Sequence, residues 1–135
     1  AAFDESLKTP GKKFWAENAK KEGVVVLPSG LQYRIIKKGN GRVPKDTSMV
    51  KVNYEGRTID GNVFDSSYKR NYPLTLRCNQ TIKGWTEAMT LMPEGSVWEI
   101  YIPENLAYGE REQGYIKPFS TLIFKVQLIK IVDKI

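Results

Sequence analysis

Histidine is missing from this sequence altogether, and cysteine occurs once, as Cys78. The first absence rules out a Ser-His-Asp triad, a Cys-His pair and every histidine metal ligand. The second rules out an internal disulfide, a CxxC redox pair and a cysteine-rich zinc site. Cys78 alternates with Leu74 and Leu76 in a strand-like run, where a thiol behaves as a small buried apolar group. Long apolar runs are missing too: none approaches the ~20 residues that span a bilayer. No charged-then-apolar leader opens the chain. The Ala1-Ala2 start is compatible with removal of a signal peptide, so the expected location is secreted or periplasmic, with the cytoplasm as the alternative.

Other chemistries lack their residues. Gly39-Asn40-Gly41 is only GxG, and no GxxxxGKS/T run exists, so nucleotide binding has no support. Asp60, Asp65 and Glu99 are separated by whole elements, and a glycosidase pair cannot be argued from them. Metal-type carboxylate clusters are absent, and neither a metal nor a cofactor is expected. The net charge is +6, with one local basic cluster at Arg34, Lys37, Lys38, Arg42 and Lys45. Few aromatics interleave with it, so it reads as a solvated strand end and loop rather than a nucleic-acid site.

What is present is one compact domain with an extension. In residues 1–23, Thr9 suits a helix cap, Pro10 the first turn, and Gly23 a stop. Between them lie good helix formers, with Glu17 and Lys21 placed to pair at i, i+4. Phe14, Trp15, Asn18 and Ala19 form only a narrow apolar stripe, suited to light packing or to a spacer. Residues 24–135 form the domain proper. Val24 to Leu27 reads as a β segment closed by Pro28-Ser29-Gly30. From Leu31 the apolar period is two: Leu31, Tyr33, Ile35; then Val50, Val52, Tyr54; Leu74, Leu76, Cys78; Trp98, Ile100, Ile102; and Leu122, Phe124, Val126, Leu128. Asp60-Gly61 between Arg57–Ile59 and Asn62–Phe64 is a hairpin signal.

One helical stretch interrupts the strands, Gly84 to about Leu91, with Trp85, Ala88, Met89 and Met92 at helical spacing. The strands have more apolar face than one short helix can cover. The predicted fold is therefore α+β: a twisted antiparallel sheet curled around that helix. Asp65 to Pro73 and Pro103 to Ser120 carry no clear element, and long loops in a compact domain are often functional. Tyr54, Phe64, Trp85, Tyr108 and Phe124 fall where they can line an apolar pocket, although each taken alone reads as core rather than site.

Five motifs then appear in order. They are Val52-Asn53-Tyr54-Glu55-Gly56; Gly61 followed by Phe64-Asp65-Ser66-Ser67; Ile82-Lys83-Gly84-Trp85-Thr86-Glu87-Ala88; Ile102-Pro103 through Leu106-Ala107-Tyr108-Gly109; and Thr121-Leu122-Ile123-Phe124. Together they resemble the FKBP-type peptidyl-prolyl cis/trans isomerases. Glu17 to Val24 and Pro28 to Tyr33 resemble the linker and first strand of the macrophage infectivity potentiator (Mip-like) branch. The resemblance implies a half-barrel sheet around one helix and isomerase activity on proline-containing polypeptides, with FK506- or rapamycin-like macrolides as inhibitors. It implies Trp85 as the pocket floor, Tyr54, Phe64 and Phe124 as walls, and Ile116 at the rim. The Ile82 N–H and the Tyr108 hydroxyl would bond substrate carbonyls. Asp65 would meet the substrate's polar side, oriented by Arg70. Outside the resemblance, Asp65 reads as a turn-capping side chain and Arg70 as an exposed loop cation. The sequence departs from the family at Leu74 and Leu76, on a wall where a Phe is usual, at Thr81 before Ile82, and in the Arg111 to Phe119 loop. No Mip-like dimerisation segment is visible, and a monomer is expected.

Overall fold

The computed structural model describes residues 9–107 and 121–132. Among the described residues three α-helices, α1 (Thr9–Asn18), α2 (Ser67–Arg70) and α3 (Lys83–Met89), and a 3-10 turn at Glu104–Leu106 accompany seven strands. These are β1 (Val24–Val26), β2 (Gln32–Lys37), β3 (Met49–Thr58), β4 (Val63–Ser66), β5 (Leu74–Arg77), β6 (Val97–Ile102) and β7 (Leu122–Val132). All pairings are antiparallel, in the order β1-β2-β6-β7-β3-β4, with β5 also on β3. The β3–β4 turn falls where Asp60-Gly61 places it. Gly61 takes φ 92°, Gly61 N–H donates to Thr58 O, and Thr58 N–H donates to Asn62 O. Among the described residues no helix is long and apolar enough to cross a membrane.

The sheet curls around α3. Trp85, Ala88 and Met89 on that helix are buried with Val50, Val52 and Tyr54 of β3, Ile100 of β6, and Phe124, Val126 and Leu128 of β7. The strand residues in that set are the period-two apolar positions. Period two means that one face of each strand meets the helix. Gly84 makes the approach close: a Cβ there would stand 2.6 Å from Ile102 Cγ2.

Three local expectations need correction. The stretch from Asp65 to Pro73 is not free of structure: β4 runs to Ser66 and α2 follows at once. Ile35 is 45% exposed rather than inward-packed, because the β2–β6 register shifts between Ile35 and Lys37 at the strand's end. Helix α1 stops at Asn18, short of Glu22. There Lys20 and Lys21 N–H turn back onto Glu17 O and Asn18 O in a tighter coil.

The contact of α1 with the sheet is polar and buried rather than light. Asn18 Nδ2 donates to Gln32 Oε1 at 2.7 Å, and Gln32 Nε2 donates to Trp15 O at 3.0 Å. Asn18 and Gln32 are 1% and 0% exposed. Trp15 Nε1 donates to Gly30 O, and Phe14 lies 5.9 Å from the Tyr101 ring. Gln32 and Tyr101 are register partners, so α1 lies on the sheet face opposite α3.

Candidate active site

The inner face of the sheet carries an aromatic box. Trp85 stands at the start of α3, one residue after Gly84, and is 4% exposed. The Tyr54 ring on β3 meets it edge-on at 5.1 Å, and the Phe124 ring on β7 does so at 5.2 Å and 89°. Phe64 on β4 meets Phe124 at 5.6 Å and 89°. Edge-to-face pairing is the geometry aromatic quadrupoles favour. Gly56 makes room for it, since a Cβ there would stand 2.6 Å from Phe124 Cε1 and 2.7 Å from Phe64 Cζ. Among the described residues the buried Trp85 Nε1 has no hydrogen-bond partner.

A polar triad borders the box. Tyr54 Oη donates to Asp65 Oδ2 at 2.6 Å. Arg70 Nη1 donates to Asp65 Oδ1 at 2.5 Å, and Nη2 donates to Tyr54 Oη at 2.8 Å. The guanidinium also sits 5.6 Å from the Tyr54 ring centre. Asp65 and Arg70 are 40% and 48% exposed, so the ion pair opens to solvent. Partial burial pushes the Asp65 carboxyl upward, but the Tyr54 hydroxyl, Arg70 and the Ser66 backbone outweigh it and hold it below the ordinary value. Burial, followed by the bond to Asp65, raises the Tyr54 phenol. The hydrogen bonds to Tyr54 and Asp65 raise Arg70 further. Asp65 is thus a carboxylate and Tyr54 a neutral phenol across the neutral range.

The short helix α2 presents Arg70. Ser66, not Asp65, caps it, accepting from Lys69 N–H at 3.3 Å. Asn71 closes it in the left-handed conformation at φ 54°, its N–H returning to Ser67 O and Tyr68 O. Ser67 is fully buried and bonds the backbone of Tyr54. Sequence reading missed this residue as a site element. Its signal was the second serine of Asp65-Ser66-Ser67, there quoted only as the end of a motif.

The structure therefore brings Tyr54, Phe64, Asp65, Arg70, Trp85 and Phe124 into one cluster. Ile82 precedes α3 and packs against the core. Its carbonyl accepts from Trp85 and Thr86, and its N–H has no partner among the described residues. Thr81 is half-buried just before it. Leu74 and Leu76 are half-buried on β5, opposite Val52 and Val50. Both pack against the buried cluster that includes Tyr54, Trp85 and Phe124. Tyr108 and Ile116 lie outside the described residues. In the basic cluster, Arg34 approaches Glu99 at 3.6 Å and Arg42 approaches Glu94 at 3.8 Å, so part of its charge is met within the molecule.

A curled antiparallel sheet around one helix, with an aromatic box and a solvent-facing carboxylate–guanidinium pair at its mouth, defines an FKBP-fold domain. Residues 40–129 match the family described as FKBP-type peptidyl-prolyl cis-trans isomerase. Residues 2–35 match the domain amino terminal to it. The chain belongs to the FKBP-type peptidyl-prolyl cis-trans isomerase family, and its relatives include Mip-type members. It is 52% identical over 129 residues to the FKBP-type 22 kDa peptidyl-prolyl cis-trans isomerase of Escherichia coli (strain K12), covering 95% of this chain and 63% of that protein. It is 51% identical to the outer membrane protein MIP of Legionella longbeachae, covering 94% and 55% respectively. The chain thus spans only about half to two thirds of the length of these curated relatives. Among solved structures, a peptidyl-prolyl cis-trans isomerase from Pseudomonas syringae pv. tomato superposes with a TM-score of 0.90 at 34% identity, covering 98% of both chains. FkpA from Escherichia coli also gives 0.90, at 40% identity, over 93% of this chain and 59% of that one.

Proposed function

We propose that this chain isomerises X-Pro bonds in polypeptides and so assists folding. The observation that carries the reading is the aromatic box floored by Trp85 beside an Asp65 held ionised by Tyr54 and Arg70. A prolyl amide crosses a barrier of ~18–20 kcal/mol because rotation breaks its resonance. The twisted amide has less charge separation than the planar one, so a dry aromatic pocket favours it. Trp85 receives the pyrrolidine ring, and Tyr54, Phe64 and Phe124 hold its sides, with Leu76, Thr81 and Ile116 at the margin. The Ile82 N–H and the Tyr108 hydroxyl grip the flanking carbonyls. Asp65, fixed by Arg70, presents a stationary negative charge to the reacting amide. A rate gain of about 10⁵ needs ~7 kcal/mol of differential stabilisation. Aimed dipoles in a site closed to water are of that order.

No step moves a proton, and no cofactor enters. Residues 24–135 form the isomerase unit, with residues 1–23 as an N-terminal helical extension. The protein acts as a monomer, without nucleic acid, in the periplasm or outside the cell; the outer-membrane name of the Legionella relative supports that location. The test is an exchange-NMR or protease-coupled assay on an apolar-X-Pro peptide. Acceleration at micromolar protein is expected. Peptide binding without acceleration would leave a proline-binding module instead. The same pocket is expected to take FK506- or rapamycin-like macrolides. Saturating macrolide that changes neither tryptophan fluorescence nor activity would exclude that occupant.

A further inference from the structure

Strand β3 divides one edge between two partners: β5 covers Met49–Val52, and β4 covers Glu55–Arg57. Asn53 and Tyr54, between them, have no strand on that side. Ser67 fills the gap. Its hydroxyl accepts the Tyr54 N–H at 2.8 Å, and it lies 3.0 Å from Asn53 Oδ1 and 3.3 Å from Tyr54 O, either of which takes its proton. One buried side-chain oxygen stands in for a missing strand. Asn53 is itself tied to β7, donating Nδ2 toward Gln127 Oε1 at 3.4 Å.

Ser67 is also the first residue of α2, and Arg70 is the last. A four-residue helix has no stability of its own, so α2 sits where its end caps and Ser67 hold it. Three residues make just under one turn, which places Arg70 above Ser67. Any slip of Ser67 along β3 therefore carries the guanidinium away from Asp65 and Tyr54.

We propose that Ser67 is a positioning residue for the isomerase reaction: clamped to the backbone of Tyr54, it sets where Arg70 meets Asp65 and the Tyr54 hydroxyl. The proposal rests on the reading of the pocket above. A displacement of ~1 Å near reacting atoms can cost up to about 10²-fold in rate.

Ser67→Ala removes the clamp and Ser67→Thr keeps the hydroxyl. Both are to be compared with the unaltered chain by exchange-NMR rates and by the guanidinium N–H resonances of Arg70. The expected result for Ser67→Ala is a drop in kcat/KM of about tenfold on that scale, mostly in kcat, with the Arg70 resonances broadened toward those of a free side chain. Ser67→Thr is expected to recover most of both. Wild-type rates in folded Ser67→Ala overturn the proposal, and so does a rate loss that leaves the Arg70 resonances unchanged. Should Ser67→Ala not fold, Asn53→Ala weakens the same clamp from its other side, and unchanged rates and resonances there overturn it equally. An unaltered chain with no isomerase activity would count against the function, while the Arg70 resonances would still decide the clamp.

Discussion

Replacing Trp85 with leucine separates a pocket floor from a core residue. Truncating a buried Trp to Ala costs ~3–5 kcal/mol. Leucine restores part of the volume, leaving a loss of about 2 kcal/mol from burial and cavity. The two edge-on ring contacts of Trp85 with Tyr54 and Phe124 also vanish, and such pairs are worth ~0.5–1.5 kcal/mol each beyond area. Against this, the indole N–H is buried with no partner among the described residues. Removing an unsatisfied donor returns about 1–2 kcal/mol. At the middle of these ranges the net destabilisation is about 2–3 kcal/mol, less than the ~5–15 kcal/mol stability of a typical domain. With a urea slope of ~1–3 kcal/mol/M, the midpoint falls by about 0.7–3 M. The folded variant is expected to lose at least about tenfold in kcat/KM, equal to ~1.4 kcal/mol of transition-state stabilisation. Full activity in that folded variant refutes the floor assignment. A destabilisation above about 5 kcal/mol refutes the claim that the orphan N–H offsets the cavity.

Two further predictions concern the same pocket. Across about pH 6–8, kcat/KM on a non-ionising peptide is expected to stay flat, because Asp65 is shifted down, Tyr54 and Cys78 are shifted up, and histidine is absent. A tenfold change in that window would defeat the proton-free mechanism. The depressed Asp65 value also means that its stabilisation is present above the unfolded carboxylate value of ~4 and lost as pH falls through the folded one. The urea-unfolding midpoint of Asp65→Asn is therefore expected to fall less steeply than that of the unaltered chain as the pH drops below about 4. Gly56→Ala places a methyl against Phe64 and Phe124. It is expected to cost ~1–3 kcal/mol and to lower kcat/KM, and unchanged activity would show that the two rings give way freely.

How much of this was legible beforehand depended on the range of the signal. The longer strands β2, β3, β6 and β7 follow from alternation within six to eleven residues, and the β3–β4 turn follows from Asp60-Gly61 alone. Helix α3 was visible because Trp85, Ala88 and Met89 repeat at helical spacing. Helix α2 was not, because four residues give no period to read. The polar docking of α1 escaped because Asn18 and Gln32 are 14 residues apart. Their amides acquire meaning only once β2 lies beneath the helix. The pocket aromatics were nameable from the motifs, but alternation alone cannot say that Phe64, Phe124 and Trp85 stack edge-on. Ser67 was hidden for a related reason. Its partner is a backbone N–H exposed by a gap between two strands, and no side-chain pattern records that gap.

A second triad of the same chemistry occupies the opposite face and tests the logic of the assignment. Tyr101 Oη donates to Glu99 Oε1 at 2.5 Å, Arg57 Nη2 meets Glu99 Oε2 at 3.1 Å, and Arg34 approaches at 3.6 Å. Burial and then Glu99 push the Tyr101 phenol up to about 12. Burial works to raise Glu99, but Tyr101, Arg57 and Arg34 hold it low. Tyr101, Glu99 and Arg57 are of the same kinds as Tyr54, Asp65 and Arg70, with Arg34 as an additional cation, yet the surroundings differ. The Asp65 triad borders the aromatic box, whereas Tyr101 lies against Phe14 of α1, and Glu99 is only 15% exposed. A carboxylate between a phenol and a guanidinium is therefore not itself the functional signature; its position beside the Trp85 box is. Glu99→Gln should accordingly destabilise without slowing isomerisation. Hydrogen bonds to a charged group are worth ~1.5–3 kcal/mol, and the half-exposed Arg34 adds little to that. The expected loss is about 1–2 kcal/mol in urea unfolding, with earlier proteolysis within α1 and kcat/KM within about twofold of the unaltered chain. A tenfold loss of kcat/KM in folded Glu99→Gln would mean that the outer network reaches the pocket through the sheet, and the division of labour between the two faces would have to be abandoned.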